Sequence, residues 1–419
     1  MERWGIIMKI LLMPAYFFPE KVASTHLDYD KYSIYGWHKI NTIVYAPWPT
    51  RGIDESEIRK TKKMEYMFNN TVQVNRFYMF REGKNPILRA IRYILVNVKQ
   101  YCWGAKCKDV DLIYSGSTPP TEGLLCGLLK KKLYKKYKIY VPYVLCLQDI
   151  FPDSLVNSGM THRGSFLWKI GRKIENYTYN SADRIIVIND AFKRNIIKKG
   201  VPEEKITIIS NWIDLKSVHP VPREKNSLIR EYGLNLEKFI VLYAGNFGAT
   251  QGADIVLQSA QALCKYKKIQ FVIFGGGPYF EEAVSKAKNM DNVFIHELLP
   301  QERVSEVYSL GDVALITCKA GTGNAGMPSK TWSIMACNTP IIASFDTDSA
   351  LARVIEQSNA GECVTPEDES MLTEAILRAY HNKTEEKDLR SYVKLHASKE
   401  KCVESYIRVL KETAMRKHK

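Results

Sequence analysis

A chain of 419 residues with 45% apolar and 11% aromatic content is long enough for two or three domains and too rich in core residues to be disordered. No apolar run approaches the ~20 residues that cross a bilayer. The Ile6–Met13 run is short, is broken by Lys9, and reads as a first buried strand rather than a signal peptide. Nine cysteines with no CxxC pair and no metal spacing to histidine point to reduced thiols in a cytosolic protein.

The net charge of +15 is unevenly placed. Residues 1–210 hold 34 Lys+Arg against 19 Asp+Glu, and residues 211–419 hold 26 of each. The first half is therefore expected to be drawn to something anionic: a membrane face, a lipid diphosphate or nucleic acid. A basic surface that only aids solubility is the plainer alternative. In chain order, a strand over Met8–Pro14 empties into Ala15-Tyr16-Phe17-Phe18-Pro19-Glu20, a loop at the carboxyl end of a strand, where ligands of open α/β sheets bind. Further strands are expected over Ile40–Tyr45 and Val74–Phe80. Pro86–Trp103 carries Arg89, Arg92 and Lys99 among Leu88, Ile91, Ile94, Leu95 and Val98 at helical spacing. Such a helix can lie on a membrane, but a core-facing helix with a solvated charged face is the commoner case. A strand over Asp111–Ser115 leads to Gly116-Ser117-Thr118-Pro119-Pro120-Thr121-Glu122 and a helix through Leu133, with lysines clustered over 130–138. Positive charge there also suits the helix dipole. The strand Tyr140–Leu147 enters Gln148-Asp149-Ile150-Phe151-Pro152-Asp153-Ser154. A helix over Gly164–Asn180, a strand over Ile185–Ile188, a helix over Asp190–Gly200 with Asp190 as N-cap, and a strand over Ile206–Ile209 complete this half.

Residues 216–236 read as a linker. A second α/β set follows: strand Phe239–Tyr243 with the loop Ala244-Gly245-Asn246-Phe247-Gly248-Ala249-Thr250-Gln251-Gly252, helix Ala253–Lys265, strand Ile269–Phe274 with Gly275-Gly276-Gly277-Pro278, helix Tyr279–Asn289, and strand Val293–Ile295 carrying His296-Glu297. A helix from Pro300 to Leu310 and a strand over Asp312–Thr317 precede the most informative stretch, Gly321–Ser344. That stretch opens with a glycine-rich loop ending in Met327-Pro328, then Ser329-Lys330, a helical run through Ala336, and the strand Ile341–Ser344. Unobstructed backbone N–H groups feeding a helix start make an anion site, and Lys330 adds a full positive charge. The diphosphate of a sugar nucleotide fits it; an ordinary strand–loop–helix crossover fits it too. Alternating strands and helices in two half-chains give an α/β protein with two doubly wound domains.

In order, YFFPE, STPP, QDIFPDSLVNSG, SADRIIVI, KITIISNWID, YAGNFGATQG, VIFGGGP, SLGDVALI and MPSKTWSIMACNTPII resemble the retaining GT-B glycosyltransferases of family 4. QDIFPDS, NWID and GNFGATQG together resemble the branch with O-antigen, capsule and colanic acid transferases, some of them N-acetyl-fucosamine transferases. The resemblance implies a GT-B fold, two Rossmann-like domains facing across a cleft. These are an acceptor-binding domain over 1–217, a nucleotide-sugar domain over 218–388 and a helical tail over 389–419 that crosses back to the first domain. It implies transfer of a sugar from a UDP-linked donor to a lipid-linked or saccharide acceptor; the basic first half is expected to hold the protein peripherally at the inner face of the cytoplasmic membrane. Donor contacts are expected from Asn246, Gly248, Gln251, Gly275, Glu297, Gly326, Met327, Ser329 and Lys330. Acceptor contacts are expected from Phe18, Pro19, Ser117 and Thr118.

The departures from the family pattern are specific. Many members have Arg after the glycine matching Gly245 and Lys five residues on; here those places hold Asn246 and Gln251. Two glutamates eight positions apart, one facing the transferred sugar and one the ribose, are commonly present; the matching residues are Ala325 and Ser333. Lys330 becomes the main cation for the diphosphate. Many relatives carry His-Asp where this chain has Gln148-Asp149, and these two are the catalytic candidates, Asp149 orienting the acceptor hydroxyl or stabilising developing positive charge. A loop-bracing or N-capping aspartate is the alternative, and Asp153 suits capping better. Neither Asp109-Val110-Asp111 nor Asp346-Thr347-Asp348 makes a convincing metal motif, so no metal or other cofactor is expected. A sugar-nucleotide epimerase of the same fold and a catalytically silent subunit remain rival readings. Nucleic-acid binding finds no motif and no aromatics interleaved with the lysines.

Overall fold

The computed structural model describes all residues except 1–6, 21–24, 82–84, 158, 324–325, 383–386 and 419. The chain divides into two compact units, Met1–Ser210 with Val403–Lys419, and Asn211–Cys402.

Unit 1 contains β1 (Met8–Leu12), α1 (Thr25–Tyr35), β2 (Ile40–Pro47), α2 (Glu55–Lys60), β3 (Met64–Met67), β4 (Val72–Phe77), α3 (Pro86–Gly104), β5 (Leu112–Ser115), α4 (Thr121–Tyr137), β6 (Tyr143–Leu147), α5 (Asp153–Asn157), α6 (Phe166–Ser181), β7 (Arg184–Val187), α7 (Asp190–Lys198) and β8 (Ile206–Ile208). The sheet order is β3-β4-β2-β1-β5-β6-β7-β8, parallel apart from β3, which pairs antiparallel with β4. Strand order reverses between β1 and β5, which puts the ligand crevice of such a sheet beside the loops that follow these strands. β5 and β6 are buried along their whole length, as expected of parallel strands covered on both faces.

Unit 2 contains α8 (Ser227–Glu231), β9 (Phe239–Asn246), α9 (Asp254–Ala262), β10 (Ile269–Gly276), α10 (Phe280–Ala287), β11 (Val293–Glu297), α11 (Val304–Tyr308), β12 (Val313–Thr317), α12 (Lys330–Ala336), β13 (Ile341–Ser344), α13 (Ala350–Ser358), β14 (Gly361–Val364), α14 (Glu369–His381), α15 (Leu389–His396) and the first turn of α16 (Lys399–Ala414). Its parallel sheet runs β11-β10-β9-β12-β13-β14, with the reversal between β9 and β12. α15 packs on α12, anchored by Arg390, whose guanidinium donates to the carbonyls of Val218 and Ala336 at 2.7 and 2.8 Å. From Val403 onward α16 belongs to unit 1, where the Tyr406 hydroxyl lies 3.0 Å from the Cys146 sulfur.

Several expectations need correction. The edge strand β3 was not foreseen; Glu65 on it accepts from Arg76 at 2.8 Å, and the turn to β4 is made by left-handed Phe68, Asn69 and Asn70. α7 is capped by Asn189, whose side chain accepts from the Phe192 N–H at 2.8 Å, while Asp190 is the first helical residue and pairs with Arg194. The expected helix from Pro300 to Leu310 is a 3-10 turn followed by the short α11. The largest departure is α3, which turns its aliphatic side outward: Ile87, Leu88, Ile91, Ile94, Leu95 and Val98 are exposed and Arg92 is fully buried.

Candidate active site

The unit 2 site forms where β9 and β12 part. The Gly-rich loop after β9 and the loop after β12 are stitched together: Lys319 N–H donates to the Thr250 carbonyl at 2.9 Å, and the Thr317 hydroxyl donates to the Gln251 carbonyl at 2.7 Å. Lys330, the first residue of α12, reaches inward across this junction. Its ammonium donates to the Ala244 carbonyl at 3.1 Å and stands 4.5 Å from the centre of the Tyr243 ring, a cation–π distance. Gly245 lies directly above; a Cβ there would come within 2.7 Å of the ammonium, so glycine is what lets the charge reach the strand end. Burial lowers the Lys330 pKa to about 8, which leaves the side chain mostly cationic at neutral pH. Tyr243 in turn donates its hydroxyl to the Asn246 carbonyl at 3.0 Å, fixing the turn.

The other expected donor residues divide. Asn246 and Gln251 sit on the same loop as Gly248, where a Cβ would meet the Gln251 amide oxygen at 2.6 Å. Gly326 and Met327 are half-buried and Ser329 is exposed at the start of α12. Gly275 is buried, and a Cβ there would strike the rings of Phe280 and Phe247 at 2.5 and 2.8 Å; packing alone accounts for this glycine. Glu297 is exposed at the end of β11, the sheet edge two strands from β9. Ala325 lies outside the described residues, and Ser333 is buried within α12.

Two carboxylates outside the expected site residues brace the loop after β12. Asp346 accepts from the N–H groups of Gly321 and Gly323 at 2.9 and 2.7 Å, and Glu367 accepts from Ala320 N–H at 3.0 Å. The sequence presents Asp346 as a turn residue in an unconvincing metal motif, with no sign of this bracing role. Among the described residues no group of three or more His, Cys, Asp and Glu side chains comes together as a metal cluster.

In unit 1, Ser117 and Asp149 line one shallow pocket with Phe151 and Glu175. The Ser117 hydroxyl oxygen accepts from the N–H groups of both Gln148 and Asp149 at 3.1 Å. Ser117 therefore fixes the QDIFPDS loop, and any acceptor contact would use its remaining proton. Thr118 beside it is exposed. The two aspartates of the loop differ. Asp153 accepts from Lys199 at 2.8 Å and from Asn195 at 3.0 Å; burial acts to raise its pKa, but these hydrogen bonds prevail and hold it low. This replaces the expected capping role. Among the described residues no donor reaches the Asp149 carboxylate, whose contact is through its backbone N–H. The Phe18 ring packs edge-on against Phe17, Tyr29, Tyr32 and Phe68, and its carbonyl accepts from Arg76; Pro19 follows it, half-buried.

Two family models match the two halves of the chain. The Glycosyltransferase Family 4 model matches residues 39–217, and the model for glycosyl transferases group 1 matches residues 224–396. The chain belongs to this glycosyltransferase family. It is 28% identical over 278 residues to WbjE of Pseudomonas aeruginosa, named as a glycosyltransferase, covering 65% of this chain and 66% of that one. It is 24% identical over 274 residues to WcaI of Escherichia coli, named as a colanic acid biosynthesis glycosyl transferase, covering 63% and 66%. The matches thus span just under two thirds of the length of these relatives. Among solved structures, Anabaena HepE in complex with UDP superposes with a TM-score of 0.71 at 14% identity, covering 97% of this chain and all of that one. That likeness fixes the fold as GT-B.

Proposed function

We propose that this protein transfers a sugar from a UDP-linked donor to a lipid-linked saccharide in cell-surface polysaccharide synthesis, with retention of anomeric configuration. The observation that carries the reading is the Lys330 ammonium beneath Gly245 at the β9/β12 switch point, the natural seat of a nucleotide diphosphate. The name of WcaI and the UDP bound to HepE support the pathway and the donor. In the step proposed, the anomeric C–O bond to the diphosphate breaks and the acceptor hydroxyl oxygen bonds to the same face. The hydroxyl proton passes to the leaving phosphate oxygen. Lys330 and the loop N–H groups offset the charge that develops on that phosphate, and such electrostatic stabilisation is usually the largest catalytic term. Asp149 is the residue proposed to orient the acceptor hydroxyl. Neither a metal nor another cofactor enters the step.

We also place the protein in the cytoplasm, held by unit 1 against the anionic inner face of the membrane. Lys131, Lys132, Lys135, Lys136 and Lys138 are exposed and available for this. Lys130 is not, because it pairs with Asp183 at 2.6 Å. No described helix is long and apolar enough to cross a membrane.

A screen of nucleotide sugars by thermal shift, followed by turnover of the best with membrane-extracted lipid-linked sugar in excess chelator, tests the whole reading. A UDP-sugar is expected to stabilise the protein and to be turned over fully without a divalent ion. Stabilisation without transfer would favour the silent-subunit reading, and isomerised or hydrolysed donor without acceptor the epimerase. Loss of turnover in chelator with rescue by manganese or magnesium would overturn the metal-free step.

A further inference from the structure

The inward side of α3 is polar. Arg92 and Gln100 are both fully buried. Arg92 donates from Nε to the Phe80 carbonyl at 3.1 Å and from Nη2 to the Thr50 hydroxyl at 3.4 Å. Gln100 donates to the carbonyls of Pro14 and Tyr45 at 2.9 and 3.0 Å. Tyr93 adds a hydroxyl contact to Tyr16 at 2.9 Å. These bonds tie the helix to the loops after β1, β2 and β4 and fix its rotation about its own axis.

The opposite side is aliphatic. Ile87, Leu88, Ile91, Ile94, Leu95 and Val98 are between 43% and 69% exposed, spaced so that they form one continuous stripe. An exposed apolar patch of this kind marks an interaction surface. Its surroundings specify the partner. α3 contains no acidic residue, and Lys99 is exposed on it. It packs against α4, whose exposed residues include Lys131, Lys132, Lys135 and Lys136. Exposed Tyr78 stacks on Trp48 at 4.7 Å, and Lys99 donates to the Tyr78 carbonyl at 2.9 Å. Aliphatic residues bordered by Trp, Tyr and lysine match the layering of a membrane interface, hydrocarbon below and anionic headgroups beside.

We propose that α3 is an insertion element that lies in the plane of an anionic bilayer, its aliphatic stripe among the acyl chains and the α4 lysines on the headgroups. This rests on the membrane placement of unit 1 proposed above and adds to it a hydrophobic component that salt does not screen. Electrostatic attraction fades as the Debye length falls from ~10 Å at 0.1 M to ~3 Å at 1 M salt, whereas acyl-chain burial of apolar side chains persists.

The test uses full-length protein and vesicles of phosphatidylglycerol with phosphatidylethanolamine, compared with phosphatidylcholine alone. Wild type is expected to sediment with the anionic vesicles at low salt and to keep a residual bound fraction at 1 M salt. Changing Ile91, Ile94 and Leu95 together to Gln should remove that residual and weaken low-salt binding by at least about tenfold. Thermal unfolding should stay unchanged because all three are exposed. An Ile94→Trp variant should gain fluorescence quenched by brominated acyl chains. Changing Lys131, Lys132, Lys135 and Lys136 to Gln should abolish only the salt-sensitive part. Failure of wild type to bind anionic vesicles overturns the membrane placement itself. Binding that depends on the lysines but not on the α3 triple variant, with no quenching at position 94, overturns the insertion alone. A dimer in sedimentation that the triple variant dissociates would assign the stripe to a second copy and also overturn it.

Discussion

Replacing Lys330 by alanine is expected to weaken donor binding at least about tenfold in calorimetry, because a charge-assisted contact is typically worth ~1.5–3 kcal/mol. The geometry makes the experiment clean. The ammonium rests on the Ala244 carbonyl and the Tyr243 ring, and among the described residues it pairs with no carboxylate that its removal would strand. Unit 2 should therefore fold normally without it. Gly245→Ala should reproduce much of the loss by another route, since the added methyl would occupy the space within 2.7 Å of the ammonium. Unchanged donor affinity in both variants would remove this lysine from the site.

The same residue gives the site a pH signature with two opposite signs. Burial depresses the Lys330 pKa from the usual 10.5 to about 8. Between those values the unfolded chain holds the extra proton, so this group makes stability rise with pH across the window. Donor binding runs the other way: a diphosphate requires the ammonium form, and affinity should decline as pH passes about 8. Measuring donor affinity and thermal stability on one pH series separates the two, and Lys330→Ala should flatten both.

What was legible in the chain was what depends on neighbours in sequence. β6 and β13 stood out because strands buried on both faces are unbroken apolar runs, and Lys330 stood out against a glycine-rich loop. Periodicity groups the α3 residues into faces but does not say which face points in. The answer lay in Arg92 and Gln100 reaching carbonyls as far away as Pro14 and Tyr45. Asp346 and Glu367 were opaque for the same reason: each braces the loop after β12 from another β–α connection, and nothing local separates a bracing carboxylate from a turn residue. The Asp190 cap failed by a single position because Asn189 and Asp190 are both good capping residues and only backbone geometry selects between them.

Exchanging Asp149 for asparagine is expected to lower kcat by about a hundredfold or more while leaving donor affinity unchanged, the size of effect lost positioning or proton handling at a reacting group produces. The partition of charge within QDIFPDS supports this choice. Asp153 is held by Lys199 and Asn195, and Lys199 also bonds Glu175 at 2.7 Å, so that carboxylate belongs to the frame of unit 1. Asp153→Asn should accordingly show up in thermal unfolding, with a loss of about 1–3 kcal/mol, more than in the chemistry of the folded enzyme. Asp149 has the reverse profile: its backbone is clamped by Ser117, its carboxylate is engaged by no described donor, and it lines a pocket with Gly116, Ser117 and Phe151. Asn preserves its shape while removing the charge and one acceptor oxygen, so an altered kcat without a shifted melting temperature isolates the role of the carboxylate. If Asp149→Asn keeps wild-type kcat, or loses activity only in step with a falling melting temperature, the residue is a loop brace like Asp153 and the catalytic role proposed for it falls.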